Sequence, residues 1–153
     1  MTTTSMDRII AEVRAFDGAH VQLPAPGDGT PEIAWGDAFF FYAPDGRPPA
    51  HTQPYATIVT KNYPGDTASA LDTPDRWRLN IQIARTATVP DPPSAADHTT
   101  VDVVLPHPVY GAQGWVCVVN PAERTTSTAL TLLRDAHDAA RARYERRRRE
   151  TGT

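Results

Sequence analysis

Cysteine is almost missing from this chain. Cys117 stands alone, which excludes an internal disulfide framework and fits a reducing compartment. It lies in the apolar run Trp115-Val-Cys-Val-Val119 and reads as a small core side chain rather than a reactive thiol. Lysine is equally scarce, with Lys61 the single lysine among 15 Lys and Arg residues. No apolar stretch approaches the ~20 residues of a membrane helix. The first residues lack the charged-then-apolar order of a secretory signal, so the expected location is the cytoplasm and no membrane partner is expected.

Recognised chemical motifs are also missing. The five histidines, His20, His51, His98, His107 and His137, form no pair at zinc-ligand spacing, so no metal and no cofactor are expected. No serine sits in a G-x-S-x-G elbow. Gly27-Asp28-Gly29 lacks both the Lys-Ser/Thr of a phosphate loop and the third glycine of a dinucleotide turn, and reads as a turn.

Charge is present but unevenly placed. Residues 1–140 carry 9 basic and 16 acidic side chains, whereas residues 141–150 carry 6 and 2. An acidic body disfavours binding to nucleic acid. The cluster Arg141, Arg143 and Arg146 to Arg149 reads first as a solvated helix end, where cations complement the helix dipole. Its alternative reading is a nucleic-acid-binding tail.

The 153 residues suit one domain. Residues 1–145 are expected to form a single α+β domain, and residues 146–153 a basic, disordered tail. Ile9, Ile10, Val13 and Phe16 recur at helical spacing and predict a first helix from about Asp7 to Asp17. Val21 and Leu23 suggest an edge strand. Ile33 to Tyr42 reads as a strand, broken at Gly36-Asp37, and Tyr55 to Lys61 as another. Thr67 to Leu71 has the look of a short helix. Trp77 to Ile83 alternates with period two, with Trp77, Leu79, Ile81 and Ile83 on one face and Arg78, Asn80 and Gln82 on the other. Arg85 to Thr99 is rich in Pro and Ala and predicts a loop. Val101 to Leu105 is open between helix and strand, and Trp115 to Val119 is the last strand. Thr125 to Thr128 offer caps for a long final helix with Leu130, Leu133, His137, Ala140 and Tyr144 on one stripe. Runs of strands between two helices point to an antiparallel α+β sheet with the helices on one face.

Trp35-Gly-Asp-Ala-Phe-Phe-Phe-Tyr42, Tyr55 to Asp66, Arg78-Leu-Asn80-Ile81 and Pro106-His-Pro-Val-Tyr-Gly-Ala-Gln-Gly-Trp-Val-Cys-Val-Val-Asn-Pro121 resemble an actinobacterial domain family of unknown function, DUF6194, over nearly the whole chain. More distantly, the element order resembles the MmcQ/YjbR-like domains. That second resemblance implies a compact fold with a curved antiparallel sheet, sometimes compared with DNA-binding double-wing domains. Neither resemblance implies an established chemistry.

The polar residues that packing explains least are the working candidates. Arg78 and Asn80 share a strand face, Lys61 ends another strand, and Arg and Lys can hold a carboxylate or phosphate. His107 and Tyr110 sit in a Pro-stiffened loop, and a histidine there could act as general acid or base with Tyr110 as donor. The expected function is therefore binding of a small molecule, an anionic one, beside Lys61, Arg78, Asn80 and Trp115. The alternative is an acid/base enzyme of isomerase, cyclase or hydrolase type using His107 and Tyr110. The plainer alternative is structural, with Arg78, Asn80 and Gln82 on a solvated sheet face and His107 fixing a turn. Monomer and homodimer both remain open.

Overall fold

The computed structural model describes residues 2–151. Its helices are α1 (Met6–Arg14) and α2 (Thr126–Thr151), and its strands are β1 (Ala19–Gln22), β2 (Ala38–Tyr42), β3 (Ala56–Val59), β4 (Arg78–Gln82), β5 (Leu105–Pro106) and β6 (Trp115–Val119). The strands form one sheet in the order β1-β2-β3-β4-β6-β5, antiparallel throughout. The α+β architecture expected from the element order is the one observed. No helix among the described residues is long and apolar enough to cross a membrane.

Both helices lie on one face of the sheet because period-two and period-3.6 apolar patterns meet there. Leu79 and Ile81 of β4, Val116 and Val118 of β6, and Phe40 and Ile58 of the neighbouring strands face Ile9 and Val13 of α1 and Leu132, Leu133 and Ala136 of α2. Each of these Val, Leu, Ile and Phe side chains contributes about 1.5–3 kcal/mol through burial. Ser5 caps α1, its hydroxyl accepting from the Arg8 N–H at 3.1 Å. His137 pins three elements at once. Its Nε2 donates to the Asp17 carbonyl at 2.8 Å, so its Nδ1 accepts from the Tyr55 hydroxyl at 3.0 Å. Burial lowers its pKa, in keeping with a neutral ring.

Several local expectations are corrected. The strand expected from Ile33 begins only at Ala38, because Glu32–Ala34 forms a 3-10 turn and Gly36 takes a left-handed φ of 86°. Thr67 to Leu71 is turns rather than helix, with Ala70 at a φ of 53°. Within Val101 to Leu105, only Leu105 joins a strand. Val101 makes a parallel bridge to Val119, and Asp102, at a φ of 57°, bends the chain between them.

That bend serves α2. The Asp102 carboxylate accepts from the N–H groups of Ala122, Arg124 and Thr125 and from the Thr125 hydroxyl. Asp102 thus holds the turn that leads into α2, whose first residue is Thr126, from 20 to 23 positions upstream. Burial raises the Asp102 pKa, but these hydrogen bonds outweigh it and hold the carboxyl below its usual value. At its other end α2 continues to Thr151, so residues 146–151 extend the helix where a tail is expected. Residues 152 and 153 lie outside the described residues.

The second face of the sheet differs most from a simple reading. Arg78 and Asn80 are 1% and 3% exposed, not solvated. Chain segments between β3 and β4 and between β4 and β6 fold over them, and Val103, Leu105 and Cys117 form a small apolar cluster alongside.

Candidate functional site

The buried guanidinium of Arg78 organises the covered face. Its Nη1 and Nη2 donate to Asp66 Oδ1 at 2.9 Å and Oδ2 at 2.5 Å, a two-pronged ion pair. Nη1 also donates to Ser69 Oγ at 3.1 Å, and Nε to Asn80 Oδ1 at 2.8 Å. Asn80 in turn donates to the Thr57 hydroxyl across the β3–β4 pair. Burial pushes the Asp66 carboxyl up, but the Arg78 hydrogen bonds and charge, helped by His107 and His98, outweigh it and hold it below the usual carboxylate value.

His107 closes the network. Its Nδ1 accepts from the backbone N–H groups of Val109 and Tyr110, both at 3.0 Å. The proton of the neutral ring is then assigned to Nε2, which lies 3.8 Å from Asp66 Oδ2 and 3.1 Å from Arg78 Nη2. The Arg78 contact is thus donor against donor, and protonating Nδ1 would set a proton against two backbone N–H groups. Burial first, then the Arg78 charge, lowers the His107 pKa to about 4. At neutral pH the ring is uncharged and a poor base, which weakens the acid/base role.

The His107 loop is held by its main chain. His107 N–H donates to the Trp115 carbonyl at 2.9 Å, and Trp115 N–H returns to the Tyr110 carbonyl at 3.3 Å. Gly111 packs closely there, since a Cβ would sit 3.1 Å from Pro106 Cβ. The Tyr110 ring lies over His107 with centroids 5.0 Å apart, and Tyr110 is 53% exposed. Trp115 serves this site through its backbone.

Lys61 belongs to an adjoining cluster. Its Nζ donates to the Trp35 carbonyl at 2.9 Å and pairs with Asp37 at 3.0 Å. Asp37 is buried and also accepts from the Thr60 backbone and hydroxyl and from the Tyr63 hydroxyl. Burial, then this bond to Asp37, raises the Tyr63 pKa well above its ordinary value. Tyr63 and Asp66 exchange backbone hydrogen bonds. The Tyr63-Pro-Gly-Asp66 turn is therefore clamped at both ends, by Asp37 and by Arg78.

Arg78, Asn80, His107 and Tyr110 thus converge, Trp115 supports them from the main chain, and Lys61 acts one cluster away. Both nominated cations, Arg78 and Lys61, already have a carboxylate partner. Sequence reasoning missed Asp66, Ser69, Asp37 and Tyr63. Asp66 and Tyr63 lie at the ends of a turn motif, a weak signal that their side chains are engaged.

A family model for DUF6194, a family of unknown function, matches residues 2–149, and the chain belongs to that family. No curated protein matches, and no solved structure does.

Proposed function

We propose that this member of a family without an assigned function binds a small molecule over the covered sheet face, on the surface formed by Asp66, His107 and Tyr110. The observation that carries the reading is an exposed aromatic ring and a partly open carboxylate flanking one buried imidazole. The Asp66 side chain is 15% exposed, while its partner Arg78 is fully buried. A buried ion network is a costly way to hold a sheet face that apolar side chains would hold as well. It does fix one carboxylate at the surface in a single orientation.

Each Asp66 oxygen receives one N–H from Arg78, which leaves acceptor capacity on both. A ligand N–H or O–H would bond there while a flat portion of the ligand stacks on Tyr110. Arg78 and Asn80 act as positioning residues for Asp66, and His107 backs the Tyr110 ring. Lys61, through Asp37 and Tyr63, holds the turn that carries Asp66. With Arg78 matched by Asp66, an anion is not the group this surface attracts.

Amide chemical shifts recorded against a metabolite library test the proposal. Compounds that bind should move the Asp66, Val109 and Tyr110 resonances, and Tyr110→Ala should abolish those shifts while leaving the β-sheet resonances in place. A library in which no compound moves these three resonances would refute the assignment.

A further inference from the structure

A second feature lies at the other end of the molecule. The C-terminal half of α2, the end of β2, the loop around 49–53 and the end of β4 enclose a cavity of about 240 Å³. Its polar lining includes Arg143, Arg147, His51, Thr52, Gln53 and Gln82, and among the described residues no Asp or Glu lines it. Arg143 and Arg147 are four residues apart and so share a helix face.

Other arginines without a side-chain partner among the described residues, such as Arg8, Arg85 and Arg149, are exposed, as Arg147 is, whereas Arg143 is not. Arg78 pairs with Asp66, Arg141 pairs with Glu145, and Arg134 lies over the Phe16 ring at 4.7 Å. Arg143 is half-buried and makes no hydrogen bond or ion pair with any described residue, and Arg147 reaches only the Thr52 hydroxyl, at 3.4 Å. Burial, then Arg147 and Arg146, lowers the Arg143 pKa. Complementing the helix dipole would account for cations in the last turn, where Arg148 and Arg149 stand. It does not account for half-burying one guanidinium beside another with nothing negative between them. His51, on the opposite wall, holds a left-handed φ of 65°, a conformation that costs energy outside glycine.

The geometry points to a binding site for a small oxyanion, a carboxylate or phosphate, held between the guanidinium groups of Arg143 and Arg147. The anion supplies the missing counter-charge, and each guanidinium offers two parallel N–H donors to it. Gln53 and Gln82 provide further hydrogen-bonding groups on the walls. The volume is below the ~300–1,000 Å³ of drug-sized sites, so the occupant is a compact metabolite or the ion itself. Two of the six clustered arginines thereby belong to a cavity wall rather than to a solvated tail.

Titration of the full chain with inorganic phosphate and, separately, with succinate tests this, followed by calorimetry at constant ionic strength with sodium chloride as control. Saturable binding of either oxyanion is expected, and the tighter of the two identifies the class. Arg143→Gln and Arg147→Gln should each weaken it by about tenfold or more, whereas Arg149→Gln and Tyr110→Ala should leave it unchanged. Removing one of two neighbouring like charges should not unfold α2, and circular dichroism verifies this. Binding of neither oxyanion beyond the chloride control, or equal affinity in wild type and Arg143→Gln, would overturn the proposal. Because Tyr110→Ala disables only the first surface, the two sites stand or fall separately.

Discussion

Arg78 and Asp66 form a two-pronged ion pair in which the guanidinium is 1% exposed and the carboxylate 15%. The strand contributes the charge that cannot leave, and the turn contributes the charge that touches solvent. Removing only the carboxylate should therefore cost far more than an exposed salt bridge is worth. Asp66→Ala is expected to lose about 3–5 kcal/mol of stability in urea denaturation, because a buried guanidinium is left uncompensated. The double variant Arg78→Met, Asp66→Ala should be closer to wild type than Asp66→Ala alone. Strictly additive losses would contradict the pairing.

The histidines give stability a pH slope of definite sign. His107 and His137 both have folded-state pKa values below the ordinary one, His107 at about 4. The unfolded chain then binds more protons than the folded chain between about pH 6.5 and pH 4, so stability is complete above pH 6.5 and falls as pH drops through that window. His107→Gln should flatten part of the slope seen in urea midpoints from pH 7 to pH 4.5. Asp66 adds a separate loss at lower pH. Its depressed pKa means that its contribution is present above about pH 4 and disappears as the carboxylate is protonated.

Asp102 holds the turn that leads into α2 from a distance. Asp102→Ala should cost about 2–4 kcal/mol, since it strips acceptors from three backbone N–H groups and sets alanine at a left-handed φ. Asp102→Asn, which tolerates that φ and keeps one acceptor oxygen, should cost less. Amide exchange at Ala122 and Thr125 should quicken in both variants, and more in Asp102→Ala.

The framework was legible where periodicity is local. The alternation of Trp77 to Ile83 and the apolar run of Trp115 to Val119 appear as β4 and β6, and the stripe of Leu133, His137 and Ala140 faces the sheet on α2. What periodicity cannot encode is which side of β4 meets water. Arg78 and Asn80 alternate correctly but are buried, because segments from two separate loops cross above them. Asp66 and His107 lie 12 and 29 residues from Arg78, and the partners of Asp102 lie 20 to 23 residues from it, so no short window of sequence contains both ends of these contacts. Arg143 and Arg147 stood in the sequence as members of a basic cluster, and only the extension of α2 to Thr151 makes them an i, i+4 pair. The loop that turns them into a cavity wall joins them only in the folded chain.

The central claim is that a small molecule sits on Asp66, His107 and Tyr110. Native mass spectrometry of the full chain, gently purified from cells, tests it most directly when wild type, Tyr110→Ala and Arg143→Gln are compared. The account predicts an added mass on wild type that denaturation releases, that Tyr110→Ala loses and that Arg143→Gln keeps. A wild-type chain that carries no added mass lost in Tyr110→Ala contradicts it.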